Sequence, residues 1–186
     1  MREIVYMVHT SLDGCVEGPN GEFDWPVMGP ELSAYSRGLS SRCGEFAYGR
    51  KVWDMMSAYW PAAESISDDP HDLAFAPVWR ETPKVVFSRT LEKADWNTRV
   101  VGGDLTEAVA SLKAEPGEDL LLMGGAELAA ELTARGLIDE YQIFVHPVVL
   151  GGGKRPFAES TARLGLTLAQ SRMFDDEVVL LRYRRA

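Results

Sequence analysis

The sequence predicts an α/β protein: a mostly parallel central sheet covered by helices, with antiparallel strands at its C-terminal edge. Three observations carry that expectation. Apolar runs of strand length alternate with segments of helical period along the chain. One run, Leu120-Leu121-Leu122-Met123, is apolar on both faces, as a central strand of a covered sheet must be. Residues 166–173 and 178–183, separated by Phe174-Asp175-Asp176-Glu177, read as a terminal antiparallel hairpin. No repeat or long linker divides the 186 residues, so a single domain over 1–186 is expected. With 46% hydrophobic and 25% charged residues it has the material for a core.

Each element has a local reason. Residues 4–8 are rich in β-formers and meet the turn signal Ser11-Leu12-Asp13-Gly14. Residues 14–30 hold four Gly and three Pro, which makes a long loop rather than a helix. Pro30 suits a first helical turn, and apolar side chains follow at 32, 35 and 39. Residues 45–48 read as a strand, and Gly49-Arg50-Lys51 opens a helix over 52–59 that Trp60-Pro61 stops. On that helix Trp53, Met55 and Met56 read as core. The acidic stretch 62–77 reads as mostly loop, with a short helix near 71–76. Residues 84–87 form a buried strand ending at Ser88-Arg89-Thr90, and 99–101 a shorter one closed by Gly102-Gly103. Asp104 with Glu107 resembles a capping box ahead of Leu105, Ala108, Val109 and Leu112. Gly124-Gly125 leads into a helix carrying Leu128 and Leu132 and ended by Arg135-Gly136. Residues 141–150 are the next strand, with His146 before Pro147 read as structural.

Charge and cysteine usage exclude several classes. Nineteen Lys and Arg against 28 Asp and Glu give a net charge of −9, a field that repels nucleic acid and anionic membranes. Cys15 and Cys43 lack the spacing of a zinc site or a disulfide framework, and the three His are scattered, so no metal is expected. No apolar stretch reaches the length of a signal peptide or a membrane span. Reduced thiols and a cytoplasmic location are the expectation.

Glycines directly after a buried strand permit close backbone approach, and the helix that follows offers unpaired N–H groups to an anion. Gly124-Gly125-Ala126-Glu127 has this form; a tight turn needing no ligand would look the same. Tyr48-Gly49-Arg50-Lys51 and Phe87-Ser88-Arg89-Thr90 share the geometry and add cations. Three such strand ends could converge on one polyphosphate ligand, which a dinucleotide fits. In an acidic chain the set Arg50, Lys51, Lys84 and Arg89 stands out, although solvated surface charge is the competing reading.

Ser11-Leu12-Asp13-Gly14, Asp24-Trp25, Tyr48-Gly49-Arg50-Lys51-Val52-Trp53, Val86-Phe87-Ser88-Arg89-Thr90-Leu91, Met123-Gly124-Gly125 and His146-Pro147-Val148-Val149-Leu150-Gly151 together resemble the dihydrofolate reductase superfamily. The sequence is most similar to the C-terminal reductase domain of the bifunctional riboflavin-biosynthesis deaminase/reductase, chiefly through SLDG and HPVVLGGG. The resemblance spans nearly the whole chain. It implies a three-layer α/β/α fold binding NADPH, with Gly49, Arg50 and Lys51 and the Ser88-Arg89 turn on the adenosine phosphates. The turn of Gly124, Gly125, Ala126 and Glu127 would lie under the pyrophosphate and nicotinamide half. Arg50, Ser88 and Arg89 suit the 2′-phosphate that distinguishes NADPH from NADH. Asp24 and Trp25 would border the substrate. Glu31 follows Gly29-Pro30 much as the acid of dihydrofolate reductases does, which makes it the candidate proton handler; an acid that only favours the helix dipole reads identically.

The implied activity is hydride transfer from NADPH to a small heterocycle, imine or carbonyl compound, as in reduction of the ribosylamino-pyrimidine of riboflavin synthesis. The sequence departs from that pattern in two places. It has no His-x-Glu with Pro-Cys-x-x-Cys zinc signature, and Trp25-Pro26-Val27-Met28-Gly29 does not match the substrate-phosphate segment. Dihydrofolate reduction, and a nucleotide-binding module without turnover, stay open as alternatives. A homodimer is expected, through edges provided by residues 144–150 and the terminal hairpin.

Overall fold

The computed structural model describes residues 1–157 and 163–186. Its strands are β1 (Ile4–Thr10), β2 (Glu45–Gly49), β3 (Lys84–Phe87), β4 (Thr98–Val101), β5 (Leu120–Met123), β6 (Glu140–Val145), β7 (Leu166–Phe174) and β8 (Val178–Arg185). They form one sheet in the order β4-β3-β2-β5-β1-β6-β8-β7. The first six are parallel; β8 is antiparallel to β6 and β7 to β8. The helices are α1 (Pro30–Cys43), α2 (Arg50–Tyr59), α3 (Ala63–Ile66), α4 (Pro70–Glu81), α5 (Leu105–Ala114) and α6 (Ala126–Ala134).

The strand order dictates the layers. Right-handed crossovers running one way along a parallel sheet lie on one face, and those running back lie on the other. The connections β1 to β2 to β3 run outward; β4 to β5 to β6 run back. Accordingly Val5 and Met7 pack with Leu32 of α1, Trp53 of α2 and Trp79 of α4, whereas Ile4, Tyr6 and Val8 pack with Val109 of α5 and Leu132 of α6. Two cores sandwich one sheet, which is why the central strands are apolar on both faces.

Four expectations need correction. The stretch 62–77 is mostly helical, because Asp69 caps α4 by accepting the His71 N–H at 2.8 Å, Pro70 occupies its first turn, and Phe75, Ala76 and Trp79 bury one face. Pro77 lies inside it, and the residue whose carbonyl it leaves without a helical donor, Leu73, is exposed. The strand expected over 141–150 ends at Val145, where Pro147 approaches. Phe144 is therefore no edge residue, since β6 is flanked by β1 and β8. Finally, Lys84 begins β3 at the end opposite Arg89; it is buried, donates to the Thr82 and Trp96 carbonyls and lies over the Trp79 ring, with its pKa lowered by burial to about 8.

The two loops that flank the sheet centre are tied together. Asp13 accepts from the N–H groups of Leu150 and Gly151 at 3.1 and 2.9 Å. Its carboxyl is held down to about 2, first by a hydrogen bond with Ser11 and then by Leu150. Gly153 is required nearby, because a Cβ there would stand 2.0 Å from the Glu17 carbonyl oxygen.

A longer-range contact starts α1. Gly29 has no side chain with which to cap, and Asp175, in the turn between β7 and β8, accepts from Glu31 N–H and Leu32 N–H at 3.0 Å each. Asp175 N–H donates in return to Glu31 Oε2 at 3.3 Å. The arrangement has the logic of a capping box assembled from residues 144 positions apart. Gly29 is what lets the carboxylate approach, since a Cβ there would meet it at 2.3 Å. Asp175→Ala should destabilise the protein by about 0.5–2 kcal/mol, the usual worth of a helix cap, with Asp175→Asn losing less because it retains an acceptor. The urea midpoint at unchanged slope measures this.

Candidate active site

Strands β5 and β1 are neighbours whose following helices, α6 and α1, leave to opposite faces. Such a switch point opens a crevice outside the carboxyl ends of the strands. A cleft of about 1330 Å³ lies there, bordered by the ends of β1 to β5. A second hollow of about 680 Å³ lies at the amino ends, around Lys84 and Arg99.

One arm of the cleft is built from glycine turns and cations. Gly49 is the N-cap of α2 and Gly125 that of α6; neither helix receives a side-chain cap. The contrast with the other long helices is informative, because aspartates occupy those N-termini: Asp175 on α1, Asp69 on α4 and Asp104 on α5. Gly124 and Gly125 have φ of +57° and +74°, a conformation other residues rarely adopt. A Cβ on Gly124 would meet nothing within 4 Å, so its backbone is open to a ligand. Ala126 follows at the start of α6.

The cations of this arm are lightly held. Arg50 pairs with Asp54 on its own helix at 2.8 Å, and both side chains are largely exposed. Lys51 and Lys154 converge on Glu127, at 2.7 and 2.6 Å, and these hydrogen bonds depress the Glu127 pKa to about 2. Arg89 is exposed at the tip of a turn shaped by Ser88, whose Oγ accepts from the Leu91 N–H at 3.0 Å. All nine residues expected on the cofactor side line this cleft.

The other arm is broader and more apolar. Asp24 lines it, with Phe23 and Met28 of the long loop. Met55 and Met56, read from sequence as core, also line it, and Met55 is 46% exposed. Trp25 does not: it packs edge-on against His146, ring centroids 5.5 Å apart, and donates to the Glu22 carbonyl. Glu31 lies outside the lining too, exposed, with its carboxylate engaged by the Asp175 N–H. Its position fits a helix-start acid.

A histidine pair not foreseen from the sequence reaches the cleft through one member, His9, which lines it, while His146 is buried behind. His9, two residues beyond Met7 on β1, faces the α1 side and stacks on Phe144. Its Nδ1 lies 2.7 Å from Nε2 of His146, whose Nδ1 in turn accepts the Val27 N–H at 3.1 Å. Burial, with smaller contributions from His146 and His71, lowers the His9 pKa to about 3; burial alone lowers that of His146 to about 4. The sequence signal was slight: a polar residue closing each of two apolar strands. Among the described residues no cluster of His, Cys, Asp and Glu is placed to hold a metal, and no helix is long and apolar enough to cross a membrane.

The sequence pattern of the RibD C-terminal domain family matches residues 2–180. The chain is similar to the protein YyaP of Bacillus subtilis (strain 168), 34% identical over 182 residues that span 98% of this chain and 94% of YyaP. Among solved structures it is similar to a Shewanella sp. PV-4 protein named for riboflavin biosynthesis, with TM-score 0.76 and 26% identity over 100% of this chain and 99% of that one. Dihydrofolate reductase from Enterococcus faecalis, complexed with NADP(H), shares the fold at TM-score 0.63 and 12% identity, over 98% and 96% of the two chains.

The histidine pair makes stability pH-dependent. Below about pH 6.5 an unfolded histidine takes up a proton, while the folded pair stays neutral down to about 4 and 3. The unfolded state then binds more protons, so stability falls as pH falls. Between pH 6.5 and about 5 carboxylates remain ionised, which isolates the histidines in that window. The urea midpoint should drop across it in the wild type and drop less in a His9→Gln/His146→Gln double variant.

Proposed function

The chain belongs to the RibD C-terminal domain family, and from that premise we propose that it is an NADPH-dependent reductase acting on a small heterocycle, imine or carbonyl compound. The observation that carries this reading is the pair of uncapped helix N-termini, α2 and α6, facing one cleft beside Arg50, Lys51, Arg89 and Lys154. Unpaired N–H groups, a left-handed glycine turn with open space above it and exposed arginines fit a ligand with two or three phosphates. When bound, the nicotinamide cofactor supplies the hydride.

The residues divide the remaining work. The N-termini of α2 and α6 receive the pyrophosphate, and Gly124 admits it close to the backbone. Arg50 and Arg89 take the additional phosphate of NADPH. Asp104 stands at the same rim, but its carboxylate accepts from Thr106 N–H and Glu107 N–H, so it is spent on its own helix rather than on a ribose hydroxyl. The apolar arm of Phe23, Met28, Met55 and Met56 excludes water from the reacting face and suits a planar substrate of the kind reduced in riboflavin synthesis. Glu31, on which a dihydrofolate reading rests, stands outside this lining.

Removing Arg50 or Arg89 should hurt NADPH more than NADH. A charge-assisted contact is worth about 1.5–3 kcal/mol, so Arg89→Ala should weaken NADPH by roughly 10- to 100-fold, with Arg50→Ala similar or larger. Paired fluorescence titrations at two salt concentrations test this. Equal losses for both cofactors would assign the arginines to the shared pyrophosphate, and no loss would leave them as solvated charge.

We also propose a homodimer. Among the described residues strand β7 pairs only with β8, and its exposed Leu166, Leu168 and Met173 leave an apolar open edge of the kind proteins cover. Light scattering at micromolar concentration should give twice the chain mass of 20.6 kDa, and Leu168→Lys with Met173→Lys should return it to the chain mass. A wild type that scatters as a single chain throughout overturns the dimer.

A further inference from the structure

The hydrogen bonds around His9 leave its proton only one place. A backbone N–H can only donate, so the Val27 N–H fixes His146 Nδ1 as an acceptor. An imidazole with a bare Nδ1 carries its proton on Nε2, and His146 therefore donates through Nε2 to His9 Nδ1 at 2.7 Å. By the same step His9 Nδ1 is bare and its proton sits on Nε2. That nitrogen has no hydrogen-bond partner among the described residues and is not one of the sealed polar atoms of the core. The ring is half-buried, is stacked on Phe144 at 5.1 Å and 24°, and lines the cleft at the switch point on the face shared with α1. The result is an N–H donor of fixed direction and fixed tautomer with no acceptor among the described residues.

We propose that His9 Nε2–H is the donor by which the cleft recognises its substrate, selecting a ring or carbonyl compound that presents a lone-pair acceptor there and rejecting one that presents N–H. His146 acts as a positioning residue, holding the tautomer through Val27. Resting on the reductase reading, this names the substrate class as an acceptor-bearing neutral heterocycle or carbonyl compound. A cationic ring, or one with an amino group at that point, would set donor against donor, and once bound it would shut water out without replacing the hydrogen bond that water can make there.

A matched pair of probes tests it. Naphthalene-1,4-dione carries carbonyl acceptors and no N–H, whereas naphthalene-1,4-diamine carries amino donors at the same two ring positions and no acceptor in the ring. Wild-type protein should bind the dione at least tenfold more tightly, by direct titration without cofactor or turnover. His9→Phe should keep the fold and abolish that preference. His146→Leu frees the His9 tautomer, so it should raise the relative affinity for the diamine, an effect that loss of packing alone would not produce. Nitrogen NMR of labelled histidine in the ligand-free protein should show His9 protonated on Nε2 at neutral pH. A His9 protonated on Nδ1, a dione that fails to bind, or equal binding of the two probes would each overturn the inference. Loss of NADPH binding with the dione preference intact would instead remove the reductase reading and leave the His9 assignment standing.

Discussion

Everything at the cleft end of this protein follows from the insertion of β5 between β2 and β1. Because every connection in the parallel region must be right-handed, returning to the middle of the sheet forces the later helices onto the second face. β1 and β5 then lie side by side while their chains depart in opposite directions, and no helix can cover the gap between them. The glycines at 124 and 125, the turn at Gly49 and the polar end of β1 all stand around an opening that topology creates. Side chains decide what the opening does; they do not decide that it exists.

The placement of carboxylates shows how the chain uses that opening. Helix N-termini carry unsatisfied N–H groups, and in a chain of net charge −9 there is no shortage of acids to meet them. Three helices away from the middle of the cleft or along its edge are closed by Asp175, Asp69 and Asp104. The two that aim at the centre of the cleft begin with glycine and stay open. Glu127, in the first turn of α6, is paired with two lysines instead. Negative charge is thus kept off the two sites where it would compete with an anionic ligand.

What could be read in the sequence was what is decided locally. Apolar runs marked the strands, Asp104 with its following helix was self-contained, and the strand-glycine-glycine-helix unit at 120–134 needs no distant partner to be recognised. Non-local decisions were invisible. The cap of α1 comes from Asp175 across the whole chain, so Glu31 looked like a free acid when it is half of a clamp. The helix continues through Pro77 where the residue four before it, Leu73, is exposed, which only the folded surface reveals. Lys84 and Arg89 are close in sequence, yet a strand of four residues separates the two ends of the sheet on which they act. His9 and His146 lie 137 positions apart, and their meeting rests on the register of β1 against β6.

The ion pairs repeat this division between the two ends of the sheet. At the amino ends of the parallel strands they gather on two buried carboxylates, Glu45 and Glu140. Arg2 meets Glu45 at 2.6 Å with both side chains under 10% exposed, and Glu140, 1% exposed, is shared by Arg42, Arg182 and Arg184. Breaking such a pair leaves a charge stranded without water, which is strongly destabilising. At the carboxyl ends the pairs are Arg50 with Asp54 and Glu127 with Lys51 and Lys154, every side chain at least 35% exposed. Exposed pairs are worth about 0–1 kcal/mol, so their cations can be surrendered to a ligand at little cost. The amino end holds the sheet together with contacts too costly to break, and the carboxyl end is free to exchange partners because its contacts contribute so little.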